Sequence, residues 1–237
     1  MSIDERGRLE YLIKNTSYGL PYLMETWQDP LGIPPAVWAT ATGGTGPGTV
    51  TWSIAEEPYH KVILAGAGND DDTSRLYTVW QWQLAPGLWG INTFNKLLIM
   101  EWEVKMANVS EMDNATCFLG LSAVNNATRA SDDIAGFILT GDALNCISDN
   151  GGSETVAAVG GPTLTNWNKL AIISYRNVIE FWVNEAMQAR HTTTPAPDED
   201  LPDINAHGMF YLDQEALGTG LAEIHIGEVS IRPGVLL

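Results

Sequence analysis

Cysteine is nearly absent, with Cys117 and Cys146 the only two in 237 residues. The two could pair, but both sit in apolar, strand-like runs, where free, buried thiols are the favoured reading. Basic residues are scarce too, twelve against 29 acidic, for a formal net charge of −17. Phosphate backbones and anionic bilayers repel such a chain, so neither nucleic acid nor membrane is an expected partner. Long hydrophobic runs are missing: Leu97-Leu98-Ile99-Met100 is typical, and far too short to span a bilayer. The first residues, Met1-Ser2-Ile3-Asp4-Glu5-Arg6, have no apolar segment of signal-peptide type, which points to synthesis in the cytoplasm.

Helical patterning is confined to one place. Ser2-Ile3-Asp4-Glu5 fits a capping box, and Leu9, Leu12 and Ile13 recur at helical spacing. Residues 1–20 thus read as an N-terminal arm with a short helix, and these three apolar residues are candidate contacts to another subunit of a homo-oligomer.

After the arm the text is strands and turns. Strand-like runs fall at 36–42, 49–54, 60–65, 76–84, 97–106, 116–123, 134–140, 143–148, 154–159, 209–212 and 223–232. A hairpin lies between Asn166 and Asn184, its arms parted by Arg176-Asn177. Alternation places Leu98, Met100, Trp102, Val104 and Met106 inward and Glu101, Glu103 and Lys105 outward, on a solvated surface. It also sets Ile179, Phe181 and Val183 against a more polar face carrying Glu180. In the last run Ile224 and Ile226 share one parity but Val229 and Ile231 take the other, so Gly227 marks a bulge. Many short strands without intervening helices predict an all-β fold, an antiparallel two-sheet jelly-roll sandwich over 21–237.

Several stretches resemble the concanavalin A-like lectin/glucanase superfamily, including laminin-G-like modules. Glu25-Thr26-Trp27-Gln28-Asp29-Pro30 with Val37-Trp38 is similar to their opening strand. Leu98-Ile99-Met100-Glu101-Trp102-Glu103-Val104, followed by Phe118-Leu119-Gly120-Leu121, is similar to a central pair. Trp167 to Asn184 resembles their tryptophan-led hairpin, with Glu185 where glycine is expected, and Ala222 to Val229 resembles their closing strand. The resemblance implies the sandwich fold. Glycanases of the superfamily carry a Glu, an Asp and a second Glu along one groove-facing strand. Here Glu101 and Glu103 are a pair, but Met106 stands where the third acid would be, so no catalytic residues and no enzyme are expected.

Other chemistry is sparse. Trp80, Trp82, Trp182 and Asn184 are candidates for carbohydrate binding, as aromatic platforms and a hydroxyl-reading amide. Asp70, Asp71 and Asp72 form an acidic loop that could take calcium, the one candidate ion; no other cofactor is implied. The four histidines have no metal-ligand spacing. Acidity, an ordered arm and a lectin-like sandwich without its acid triplet together suggest a non-enzymatic structural protein of a large assembly. A phage or viral capsid-decoration or tail-associated protein, located in the virion, is the first expectation, with other subunits as its partners. The alternative is a carbohydrate-binding, lectin-like module for host or glycan recognition, with a cytoplasmic location, and the third reading is a glycoside hydrolase.

Overall fold

A computed structural model describes residues 23–25, 37–53, 61–67, 72–79, 82–83, 96–123, 133–149, 154–175, 178–192, 205–216 and 220–235. The expected arm, with Leu9, Leu12 and Ile13, lies outside these residues.

The described strands are β1 (Leu23–Glu25), β2 (Trp38–Gly43), β3 (Thr49–Ser53), β4 (Lys61–Ala65), β5 (Asp72–Thr78), β6 (Trp82–Gln83), β7 (Lys96–Met106) and β8 (Ala115–Ser122). They continue with β9 (Ile134–Thr140), β10 (Ala143–Asp149), β11 (Glu154–Ala158), β12 (Asn168–Tyr175), β13 (Val178–Val183), β14 (Ala186–Thr192), β15 (Asn205–Gln214) and β16 (Glu223–Val235). One 3-10 turn, Val109–Asn114, joins β7 to β8. The first sheet runs β14-β13-β12-β7-β16-β4-β3 with β1 also paired to β16. The second runs β11-β10-β9-β8-β15-β5-β2 with β6 also paired to β15. The strand pairs are antiparallel, and the two sheets make the jelly-roll sandwich that the alternation predicts.

The core lies between the sheets and follows the parity of the strands. Leu98, Met100, Trp102, Val104 and Met106 of β7 point into it, as do Ile179, Phe181 and Val183 of β13. Trp102 meets Phe137 and Phe210 edge-on, at centroid separations of 5.7 and 5.8 Å, and Phe137 meets Phe181 at 5.6 Å. These T-shaped contacts tie the two sheets together through ring edges and faces. Ile224, Ile226, Val229 and Ile231 all reach the core although their parity changes. The register of β16 against β7 shifts between Ile226 and Val229, setting Gly227 and Glu228 against the single Glu103. The predicted bulge is there.

Three expectations are corrected. The stretch 76–84 is not one strand: β5 begins earlier, at Asp72, and β6 is separate. Asp72 is buried and its carboxylate accepts a hydrogen bond from the Gly46 amide at 3.0 Å, which draws an apparent loop residue into the sheet. Second, β14 has no β-branched run and was not expected. It forms because Asn184 and Glu185, with φ of 49° and 69°, close a two-residue turn of the hairpin-favouring hand after β13. Third, the outward face of the β12–β13 hairpin is not polar. Leu97, Ile99, Ala171, Ile173, Tyr175, Val178 and Trp182 form a second buried apolar cluster there.

Candidate functional site

Outward from β7, in line, stand Ile99, Glu101, Glu103 and Lys105. Antiparallel pairing sets Ala171 of β12 and Ser230 of β16 beside Glu101, Lys169 beside Glu103, and Arg232 beside Ile99. The pleat turns neighbours in register to the same face. Charged side chains from three strands therefore meet, although no stretch of sequence brings them together.

Glu101 was expected on a solvated surface, but only 5% of it is exposed. Its Oε1 lies 3.2 Å from Lys169 Nζ and its Oε2 contacts an Arg232 guanidinium nitrogen. A buried carboxylate persists where cations compensate its lost hydration. Glu103 is packed over the bulge: a Cβ on Gly227 would lie 3.1 Å from its Cβ and 3.3 Å from Trp167 Cζ3. Glycine at this point lets the glutamate and the indole close over the backbone. Lys105 Nζ sits 5.4 Å from the centre of the Trp167 ring, a cation–π contact. Beside these groups is a shallow, open depression lined by Glu101, Trp102, Glu103, Lys169, Glu228 and Ser230. Three of the chain's twelve basic residues, Lys105, Lys169 and Arg232, lie on this patch against Glu101, Glu103 and Glu228. The patch is thus locally balanced on a strongly acidic chain.

Toward the far edge, the same face carries Lys61, Glu223 and His225. Lys61 Nζ is 3.0 Å from His225 Nδ1, and His225 Nε2 contacts Glu223 Oε1. Burial holds His225 below the usual histidine range; its hydrogen bond to Glu223 works against that, and Lys61 and Lys105 reinforce it.

The residues singled out from sequence are not brought together. Trp182 points outward as alternation requires, but only 1% of it is exposed, and its indole N–H donates to Glu180 at 3.3 Å. It packs in the apolar cluster beside Ile99 and Ile173, so it offers no platform for a sugar here. Asn184 is held in the turn, where Oδ1 accepts from the Lys169 amide at 2.9 Å and Nδ2 donates to Asn168 at 2.9 Å. Trp80, Asp70 and Asp71 lie outside the described residues, as does the Trp82 side chain; the Trp82 backbone pairs with Ala206. Among the described residues, no group of three or more His, Cys, Asp or Glu could hold a metal ion. Also among them, no helix is long and apolar enough to cross a membrane. Sequence reasoning missed Trp167, Lys169, Glu228, Ser230 and Arg232 as site residues. The parity change at Gly227 was the one signal that pointed to this spot.

The fold is a jelly-roll sandwich like that of β-glucanases and transglycosylases. No protein-family model and no curated protein matches the sequence. Among solved structures, it is similar to Rv0315 of Mycobacterium tuberculosis, described as an immunostimulatory antigen and pseudo β-1,3-glucanase. That likeness has a TM-score of 0.62 at 10% identity and covers 93% of this chain and 100% of that one. It is also similar to a Bacillus licheniformis β-glucanase (TM-score 0.56, 11% identity, 93% and 100% covered). A third likeness is to the Crh5 transglycosylase in complex with NAG (TM-score 0.58, 10% identity, 92% and 86% covered). At such identities the likeness is one of fold. The expectation of a phage or viral virion component finds no support in it.

Proposed function

We propose that this chain is a carbohydrate-binding protein and that the glycan lies across the outer face of β12, β7 and β16, against Trp167 and the depression beside it. One observation carries the reading: carboxylates, an ammonium and a hydroxyl converge from three strands on a polar depression, and on the same face a half-buried indole packs toward Glu103 across Gly227. An aromatic body with hydrogen-bonding groups around it suits a sugar, which presents C–H patches and hydroxyls together. The named structural neighbours include a transglycosylase complexed with NAG, which supports the same class of ligand. The ligand expected is a neutral glycan, because a net charge of −17 repels polyanions at long range.

Binding without cleavage is the proposal. Glu101 is engaged by Arg232 and Lys169, the next outward position after Glu103 is Lys105, and Met106 is in the core. Two-carboxylate hydrolysis needs one group to donate a proton and the other to attack or activate water, and Glu101, held by two cations, is poorly suited to either task.

Calorimetric titration with neutral β-glucan and chitin oligosaccharides tests this. Trp167→Ala is expected to weaken binding about tenfold or more, as loss of about 1.4 kcal/mol or more of ring contact requires. A wild type that binds none of them, or a Trp167→Ala variant that binds as well, rules the reading out. Release of reducing ends by wild type and its loss in Glu103→Gln would instead make the protein a hydrolase.

A further inference from the structure

The Lys61–His225–Glu223 chain plays no part in the proposed groove, yet it is deeply placed. Lys61 is 3% exposed and His225 5%. An ammonium has donors only, so Nδ1 of His225 must accept from Lys61 and carries no proton. The ring proton is then on Nε2 and points to the Glu223 carboxylate. Both partners select one neutral tautomer, with the imidazole between the lysine and the glutamate.

We propose that Lys61, His225 and Glu223 form an acid-sensitive latch that fastens β4 to β16 and releases when His225 takes a second proton. Protonated Nδ1 can no longer accept from Lys61, and two largely buried cations would then face each other 3.0 Å apart. Among the described residues, the groups facing the ring are Lys61 from β4, Lys105 from β7, directly opposite His225, and Glu223 from β16; its β4 register partner Ile63 is apolar.

The latch also sits on a short ladder. β4 meets β16 through four register pairs, from Glu223↔Ala65 to Ile226↔Val62, and beyond the bulge β1 takes its place beside β16. Among the described strands, β4 has only β3 on its other side, the last strand of the sheet. Parting β4 from β16 disturbs one hairpin and leaves the β7 ladders intact.

The direction with pH follows from the lowered affinity of His225 for protons. The opened form, with an ordinary histidine near 6.5, binds a proton before the closed form does. Closure is thus favoured fully above about pH 6.5 and weakens as pH falls toward the folded value, about tenfold per pH unit within that window. If a glycan binds as proposed above, acid also lowers its affinity, because Lys105 both faces His225 and covers Trp167. That consequence rests on the binding reading; the latch does not.

Ligand-free protein provides the test. Nitrogen NMR of the His225 ring should show the Nε2–H tautomer at neutral pH and a midpoint below 6.5. Amide exchange at 61–65, corrected for intrinsic rate, should speed up about tenfold per unit on acidification below about pH 6.5, while the β8–β9 amides stay protected. His225→Gln should flatten the response. Lys61→Met, which keeps the site filled if His225→Gln fails to fold, should raise the His225 midpoint and reduce the response. The Nδ1–H tautomer, a midpoint at or above 6.5, or a Lys61→Met response equal to wild type would overturn the latch. Loss of the latch with glycan binding intact refutes only this inference, and the converse refutes only the proposed function.

Discussion

At the scale of single residues, the two cations on Glu101 are not equivalent. Arg232 is largely covered, whereas 48% of the Lys169 side chain is exposed. Removing a buried partner strands a charge away from water, while an exposed ion pair is screened and contributes little. Arg232→Gln is therefore expected to cost about 3 kcal/mol and Lys169→Gln about 1 kcal/mol or less, read from urea unfolding at neutral pH. Adding Glu101→Gln to Arg232→Gln should recover part of the loss. Equal costs for the two single variants would contradict the arrangement. Glu101 and Glu103 were legible as an outward pair because strand parity is local. Their partners were not, because Lys169 and Arg232 reach them only through ladders between distant segments. Trp182 shows the complementary failure. Its direction was readable, its burial was not, since the outward face of β13 is closed by packing among Ile99, Ile173 and Val178.

At the scale of elements, the hairpin turns carry the next prediction. Both Asn184 and Glu185 have positive φ, a region that suits asparagine and glycine and disfavours a glutamate. Glu185→Gly is expected to raise stability by about 1 kcal/mol, since relief of the left-handed strain outweighs the added freedom of the unfolded chain. Thermal unfolding reads this directly, and an unchanged or lower midpoint would show that the Glu185 side chain contributes more than its backbone costs. The departure from glycine was visible in the sequence; that a further strand, β14, depends on this turn was not. The bulge at Gly227 was visible as a switch of parity. Its meaning was not, because only the fold sets Glu103 and Trp167 over it.

At the scale of the whole molecule, both free thiols report on the joint between the sheets. Cys117 and Cys146 lie in the inter-sheet core, and burial pushes Cys146 up to about 12 and Cys117 further still. The thiolate is the reactive form, so neither should be alkylated in the folded protein. Labelling in native buffer is expected to proceed at one rate for both residues, that of global unfolding. Faster labelling of Cys146, one strand in from the edge at β11, would mean that this side of the sandwich opens by itself.

What the sequence determined by itself was periodic: a sandwich of short antiparallel strands, the inward face of β7, and the place where β16 breaks step. Those features follow from the two-residue repeat of an extended backbone, which each strand expresses alone. What only the tertiary structure decided was company. Glu101 gained two cations, Trp167 came to pack over Gly227 while Trp182 was buried, and His225 came to lie between a lysine and a carboxylate. Those outcomes depend on which strands become neighbours and in what register, and on which outward faces are covered.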